Sequence, residues 1–389
     1  MLFYPYSGLK AHNLEFLTGI NLQFLGIVGL SFFITAVAIP SVMHISDRYK
    51  LYDQKDFYRK DHAGEISRLG GIAIFCGFMI TLLMFATLLN TTTPNFLIIA
   101  CLILFGVGLK DDIYGVNVST KFGLQFIVAL ILVTFGGYRL SSMYGVFGIT
   151  DMNPFWGSIF TIAVIIFINN AFNLIDGIDG LSSTIGIIVN LTFGISFVVC
   201  RDYTSAFVAF SLVGAIAGFL VYNHAPAKIF MGDTGALIIG LVSVVLAIRF
   251  IELNRFNYVS NPDFTAGPAV AVAILIVPVF DSLRIFTIRI LKGVSPFLGD
   301  NNHIHHRLKQ HGFSTNQTVL ILAAFNIIMI VFAVYMQNMG NFGLISVMIT
   351  ICVLFNVLLT YKKGRKKYRH YKISDILFKD TINFRKGIL

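Results

Sequence analysis

Long uninterrupted apolar stretches, separated by short polar segments, dominate the chain from Leu22 onward. A helix crossing about 30 Å of hydrocarbon needs roughly 20 residues. By that measure the pattern predicts eleven spans, at residues 22–43, 69–89, 95–109, 122–137, 155–172, 181–200, 206–222, 236–251, 269–290, 319–336 and 344–359. The runs are continuous rather than alternating every second residue, which favours helices over a β-barrel. Glycine and proline punctuate them, as membrane helices tolerate. The expected fold is an all-α integral membrane protein. Residues 1–360 form one polytopic domain without internal repeats, and residues 361–389 form a basic tail. Residues 1–20 carry Lys10, His12, Asn13 and Glu15, without the basic-then-apolar-then-small order of a cleaved signal peptide.

Composition agrees. Of 389 residues, 56% are hydrophobic and only 12% charged, against about 25% charged in soluble domains. That excludes an ordinary water-soluble enzyme, a disordered chain and a fibrous repeat. Cys76, Cys101, Cys200 and Cys352 sit singly in apolar runs and read as small buried hydrophobes.

The net charge is +10, and the distribution of the basic residues between the two faces sets the orientation. An odd number of spans puts the termini on opposite faces. With the N-terminus outside, only Lys10, Arg139, Arg201, Arg249 and Arg255 remain as outer basic residues. The rest lie inside, ten of them in the tail. The positive-inside rule favours this arrangement, with a cytoplasmic C-terminus. The tail reads as a topology anchor against anionic lipid, with no nucleic-acid role.

The acids and histidines gather in four clusters, all inside in this topology. Gly108-Leu109-Lys110-Asp111-Asp112 ends the third span with adjacent carboxylates, an arrangement that a cation makes tolerable. Taken alone it reads equally as a solvated helix end. Asn169 to Leu181 carries Asn173, Asp176 and Asp179 at a spacing of three, which a helix gathers on one face. Lys228-Ile229-Phe230-Met231-Gly232-Asp233-Thr234-Gly235 puts an acid between glycines before a span, either as an N-cap or as a ligand beside a phosphate. Phe230 is placed to stack on a base or to sit in the interface. Asp300-Asn301-Asn302-His303-Ile304-His305-His306-Arg307 groups three histidines with an arginine, and phosphate binding fits better than zinc. Carboxylates and cations with a divalent metal are equipment for phosphoryl transfer, and a membrane location makes one reactant a lipid.

Together the clusters resemble the polyprenyl-phosphate N-acetylhexosamine-1-phosphate transferases, of the glycosyltransferase 4 type, over residues 40–312. Ser67-Arg68-Leu69-Gly70-Gly71 and Pro278-Val279-Phe280-Asp281 add to the match. The His-Ile-His-His-Arg form resembles the branch making O-antigen, common-antigen and teichoic-acid linkage lipids. The resemblance implies that a UDP-N-acetylhexosamine, with UDP-GlcNAc the first expectation, passes its sugar-1-phosphate to undecaprenyl phosphate and leaves UMP. It makes Asp111, Asp112 and His303 the catalytic candidates. Asp233, with Asp112, would hold Mg²⁺, Mn²⁺ being the substitute. Asn173, Asp176 and Asp179 would face the nucleotide, Phe230 the uracil, and His305, His306 and Arg307 the diphosphate or sugar. Lys121 is the candidate for the lipid phosphate. The implied partners are these two substrates and the lipid bilayer, with a homodimer as the oligomeric expectation and no nucleic acid. The implied location is the bacterial cytoplasmic membrane, with the active site on the cytoplasmic side. The rival reading is a transporter, which should place polar groups near the midplane. Here the span centres are bare apart from Asp281 and Arg284.

Overall fold

A computed structural model describes residues 7–52, 66–88, 94–255, 265–291, 293 and 303–364. Asp300, Asn301 and Asn302, most of the polar insertion after the first span, part of the loop after the eighth and the basic tail from residue 365 lie outside these residues. The described residues form thirteen α-helices: α1 Ser7–Tyr49, α2 Gly70–Leu88, α3 Asn95–Tyr114, α4 Val118–Thr134, α5 Pro154–Ile175, α6 Leu181–Val199, α7 Tyr203–Asn223, α8 Gly232–Arg255, α9 Gly267–Ile274, α10 Ile276–Leu291, α11 Ile304–Gln310, α12 Thr315–Tyr335 and α13 Gly340–Gly364. The one β-feature among them is an isolated bridge between Ser142 and Asp151. Seven helices are long and apolar enough to cross a membrane, or eight if the bent pair α9–α10 counts as one span. Helices α2 and α4 are apolar but shorter.

The helices are not equivalent. Some 83% of the apolar window of α8 is buried inside the protein, but only 28% of that of α1 and of α13. Helix α8 is therefore central, and the peripheral helices turn Leu25, Phe33, Leu320, Ile328 and Leu358 outward. An apolar exterior of this extent has no place in water and suits lipid. Lipid removes the hydrophobic drive between helices, so small residues that allow close approach hold the bundle together. Gly214 and Gly218, four apart on α7, do this against α1. A Cβ on Gly218 would stand 2.6 Å from the Phe32 carbonyl oxygen.

One predicted span is not continuous. Residues 269–290 form α9 and α10, bent by 81° at Leu275. Pro278 supplies a reason: its ring has no N–H and crowds the carbonyl four residues earlier, that of Ile274. Asn326 of α12 donates its side-chain amide to the Ala273 and Ile274 carbonyls at 3.3 and 3.1 Å. The carbonyls freed by the break thus find a donor inside the bundle, as membrane burial requires.

Candidate active site

The last turn of α3 presents two carboxylates that do different things. Asp112 turns to α8: one oxygen accepts from Asp233 N at 2.7 Å, the other from Thr234 N at 3.0 Å and Thr234 Oγ1 at 2.5 Å. It satisfies the free N–H groups of the α8 N-terminus and places negative charge at the positive end of the helix dipole. Glycines make room for this. A Cβ on Gly108 would lie 2.5 Å from Thr234 Cα, and Gly232, at φ +69°, would put one 2.6 Å from both Asp112 oxygens. Burial pushes Asp112 up to about 7 despite the Thr234 hydrogen bonds.

Asp111 closes its own helix end, accepting from Val116 N at 2.6 Å, and its second oxygen meets Lys121 Nζ at 3.1 Å. The same ammonium pairs with Asp233, whose other oxygen accepts from Asn173 at 3.1 Å. Three of the four predicted clusters thus converge on Asp233. Burial raises the pKa of Asp111, and the neighbouring Asp233 raises it further. One turn deeper, Gln125 of α4 and Asn170 of α5 face each other, with Asn170 donating to Gln125 Oε1 at 2.7 Å. This amide pair sets the register in which Lys121 and Asn173 reach the same carboxylate.

The fourth cluster is anchored from behind. His303 Nδ1 bonds Asp281 Oδ2 at 2.8 Å, Ile304 N donates to Asp281 Oδ1 at 3.0 Å, and Arg284 donates to the same oxygen at 3.2 Å. The His303 and His305 rings stack with centroids 5.5 Å apart. His305 is buried against Gly177, where an added Cβ would stand 2.5 Å from its Nε2. Burial, then the neighbouring His306 and His303, hold its pKa well below the usual value, so the ring is neutral.

A cleft of about 920 Å³ opens between these groups. Of the residues expected from sequence, Asp112, Asn173, Asp176, Asp179, Phe230, Asp233 and His306 line it. Asp111, Lys121, His303, His305 and Arg307 do not. Lys121 is paired with Asp111 and Asp233, His303 is paired with Asp281, and the Arg307 guanidinium is bonded to Asn356 and Thr360 of α13. Asp179 has a structural partner as well, accepting from Ala227 N at 3.0 Å and so fixing the loop that carries Phe230. Asn223 fixes the other side of that loop, accepting from Gly180 N and donating to the Ile229 carbonyl.

The cleft also holds Arg68, Lys309 and Asn316, which were not among the expected site residues. Arg68 rides on a segment hydrogen-bonded to the Phe230 loop, with Phe230 N donating to the Ser67 carbonyl at 2.8 Å and Gly70 N to the Phe230 carbonyl at 3.0 Å. Lys309 carried a usable signal, lying three residues after His306 and so on the same helical face.

The profile of glycosyl transferase family 4 matches residues 94–251. The decaprenyl-phosphate N-acetylglucosaminephosphotransferase of Mycobacterium tuberculosis (strain ATCC 25618 / H37Rv) is 32% identical over 329 residues, covering 78% of this chain and 80% of that protein. The chain belongs to the polyprenyl-phosphate N-acetylhexosamine-1-phosphate transferases of glycosyl transferase family 4. Undecaprenyl-phosphate alpha-N-acetylglucosaminyl 1-phosphate transferases are similar too. That of Yersinia pestis is 30% identical over 276 residues, covering 69% of this chain and 72% of that protein. That of Escherichia coli (strain K12) is 28% identical over 299 residues, covering 75% and 78%. In this transferase the matched stretch runs from α3 to α8 and contains Asp111, Asp112, Lys121, Asn173, Asp176, Asp179, Phe230 and Asp233. The histidine-bearing α11 lies beyond it.

Proposed function

We propose that the protein transfers N-acetylglucosamine-1-phosphate from UDP-GlcNAc to undecaprenyl phosphate at the cytoplasmic face of a bacterial membrane, releasing UMP. The observation that carries this reading is the convergence of Asp111, Lys121 and Asn173 around Asp233, which together with Asn173 lines the cleft of about 920 Å³. It occurs in a chain 32% identical to a decaprenyl-phosphate N-acetylglucosaminephosphotransferase. The proposed topology counts the seven long helices, the broken pair and α2, α3 and α4 as eleven spans. The basic residues then favour an outer N-terminus and a cytoplasmic C-terminus. The cleft lies at the end of the bundle where α3 and α5 finish and α8 begins, which is the inner end in that topology. The product would serve as the lipid-linked starter of a surface polysaccharide.

Mg²⁺ fits the donor set. Asp111 and Asp233 both face a cationic partner, Lys121 Nζ, and the donors they offer are hard oxygens without sulfur or imidazole. Magnesium is commonly bound by one or two carboxylates plus substrate phosphates. Asp233 and Asp111 would hold the ion, while Asp112 fixes the backbone of Asp233. When bound, the ion neutralises phosphate charge and stabilises departing UMP. Asn173 orients Asp233. Lys121 supplies positive charge beside the acidic pair, where two phosphates must approach each other.

The acceptor phosphate has a second pKa near about 6 and is largely dianionic at pH 7. It therefore needs no strong base. Its oxygen attacks the sugar-bearing phosphorus, and the bond from that phosphorus to the bridging oxygen of UMP breaks in the same displacement. Trapping a sugar-phosphorylated Asp111 in the absence of lipid would replace this scheme with a two-step one. The test of the function is purified protein with undecaprenyl phosphate, Mg²⁺ and a panel of UDP-sugars. Lipid-dependent UMP release from UDP-GlcNAc is expected; no release from any member of the panel overturns the reading.

A further inference from the structure

Helix α11 has two faces. His306, Lys309 and Gln310, at helical spacing, line the cleft. Ile304, Arg307 and Leu308 are buried on the other side. The buried guanidinium does not point at the cleft. It donates to the side chains of Asn356 and Thr360, which lie four apart and buried on α13. His311 adds a contact from its Nε2 to the Leu359 carbonyl at 2.5 Å. Thr360 in turn donates to the Asn356 carbonyl at 3.0 Å, so the two α13 side chains form one receptor for the arginine. A buried polar pair on a membrane helix is costly unless it is bonded, and here its partner is the back of the helix that furnishes the cleft.

We propose that Asn356 and Thr360 are positioning residues for the sugar-nucleotide side of the site. Through Arg307 they set where α11 stands, and thereby where His306 and Lys309 meet the bound donor. Arg307 acts from behind the helix and does not touch the diphosphate. This inference rests on the proposed transferase reading, with the donor occupying the cleft.

The test compares Arg307→Met, the double variant Asn356→Ala/Thr360→Val, and all three changes together, in full-length purified protein. The readouts are kcat, KM for UDP-GlcNAc, KM for undecaprenyl phosphate, and the rise in melting temperature caused by UDP. Displacing α11 raises the donor KM by about tenfold to a hundredfold and leaves the acceptor KM in place. The triple variant is no worse than Arg307→Met alone, because all act on one contact. Thr360→Ser, which keeps the hydroxyl, rescues the deficit of Thr360→Val. A double variant with the donor KM of the unaltered protein, or losses that multiply in the triple variant, would overturn the proposal and leave Arg307 as a direct ligand. An unaltered protein that releases no UMP sinks the transferase reading instead. In that case the UDP-induced stabilisation decides the positioning claim: lost alike in the double and Arg307→Met variants it stands, and retained in the double it falls.

Discussion

At the scale of residues, two neighbouring carboxylates on one turn of α3 take different partners. Asp112 caps α8, whereas Asp111 joins Lys121 and Asp233. Replacing Asp112 by Ala should therefore cost stability as well as activity, about 1 kcal/mol for a lost cap, read as a lower melting temperature in detergent. Asp112 also carries a pH signature. Burial raises its pKa from 3.8 to about 7, so the folded protein holds this proton more tightly than the unfolded chain does. Its contribution is full below 3.8 and is lost as pH rises toward about 7. In Mg²⁺-free buffer, the stability of the unaltered protein relative to Asp112→Asn should shrink over that interval; a constant difference would contradict the assignment. The acidic clusters were legible in sequence because acids are scarce in so apolar a chain. The division of labour was not, because it depends on partners remote in sequence: Asp233 and Thr234 for Asp112, Asp281 for His303, Asn356 and Thr360 for Arg307. Asn356 sits inside the predicted span 344–359, and Thr360 directly follows it.

At the scale of elements, hydrophobic periodicity locates the helices but not how they bend or dock. The break between α9 and α10 is the clearest case. Residues 269–290 read as one span despite Pro278, and the donor that stabilises the break, Asn326, lies on α12. Replacing Asn326 by Leu leaves the Ala273 and Ile274 carbonyls without that donor in an apolar setting. The expected loss is about 1–3 kcal/mol, measured as thermal unfolding in detergent; an unchanged melting temperature would show that the break satisfies itself. The amide pair Gln125–Asn170 makes a parallel case between α4 and α5. Truncating Gln125 to Ala should lower Mg²⁺-dependent activity through Lys121 and Asn173 while leaving the helices intact. Far-ultraviolet dichroism and a Mg²⁺ titration of UMP release distinguish that outcome from general unfolding.

At the scale of the whole molecule, the fold gathers the ends of α3, α5 and α11 and the starts of α4, α8 and α12 at one end of the bundle, and the cleft lies among them. This suits a reaction between a water-soluble nucleotide sugar and a lipid whose phosphate sits at the bilayer surface. The proposed topology makes that end cytoplasmic. A reporter fused after residue 389 should accordingly be fluorescent if it is a green fluorescent protein and inactive if it is an exported phosphatase; the reverse pair would invert the molecule. The central claim is that Asp111 and Asp233, through the charge they gather with Lys121, carry the transfer. Its most direct test is UMP release from UDP-GlcNAc by purified protein, with and without undecaprenyl phosphate, for the unaltered chain and for Asp111→Ala and Asp233→Ala. Lipid-dependent release that falls by about a hundredfold or more in both variants, with melting temperatures preserved, is the predicted result. Release that persists in either variant at the level of the unaltered protein would contradict it.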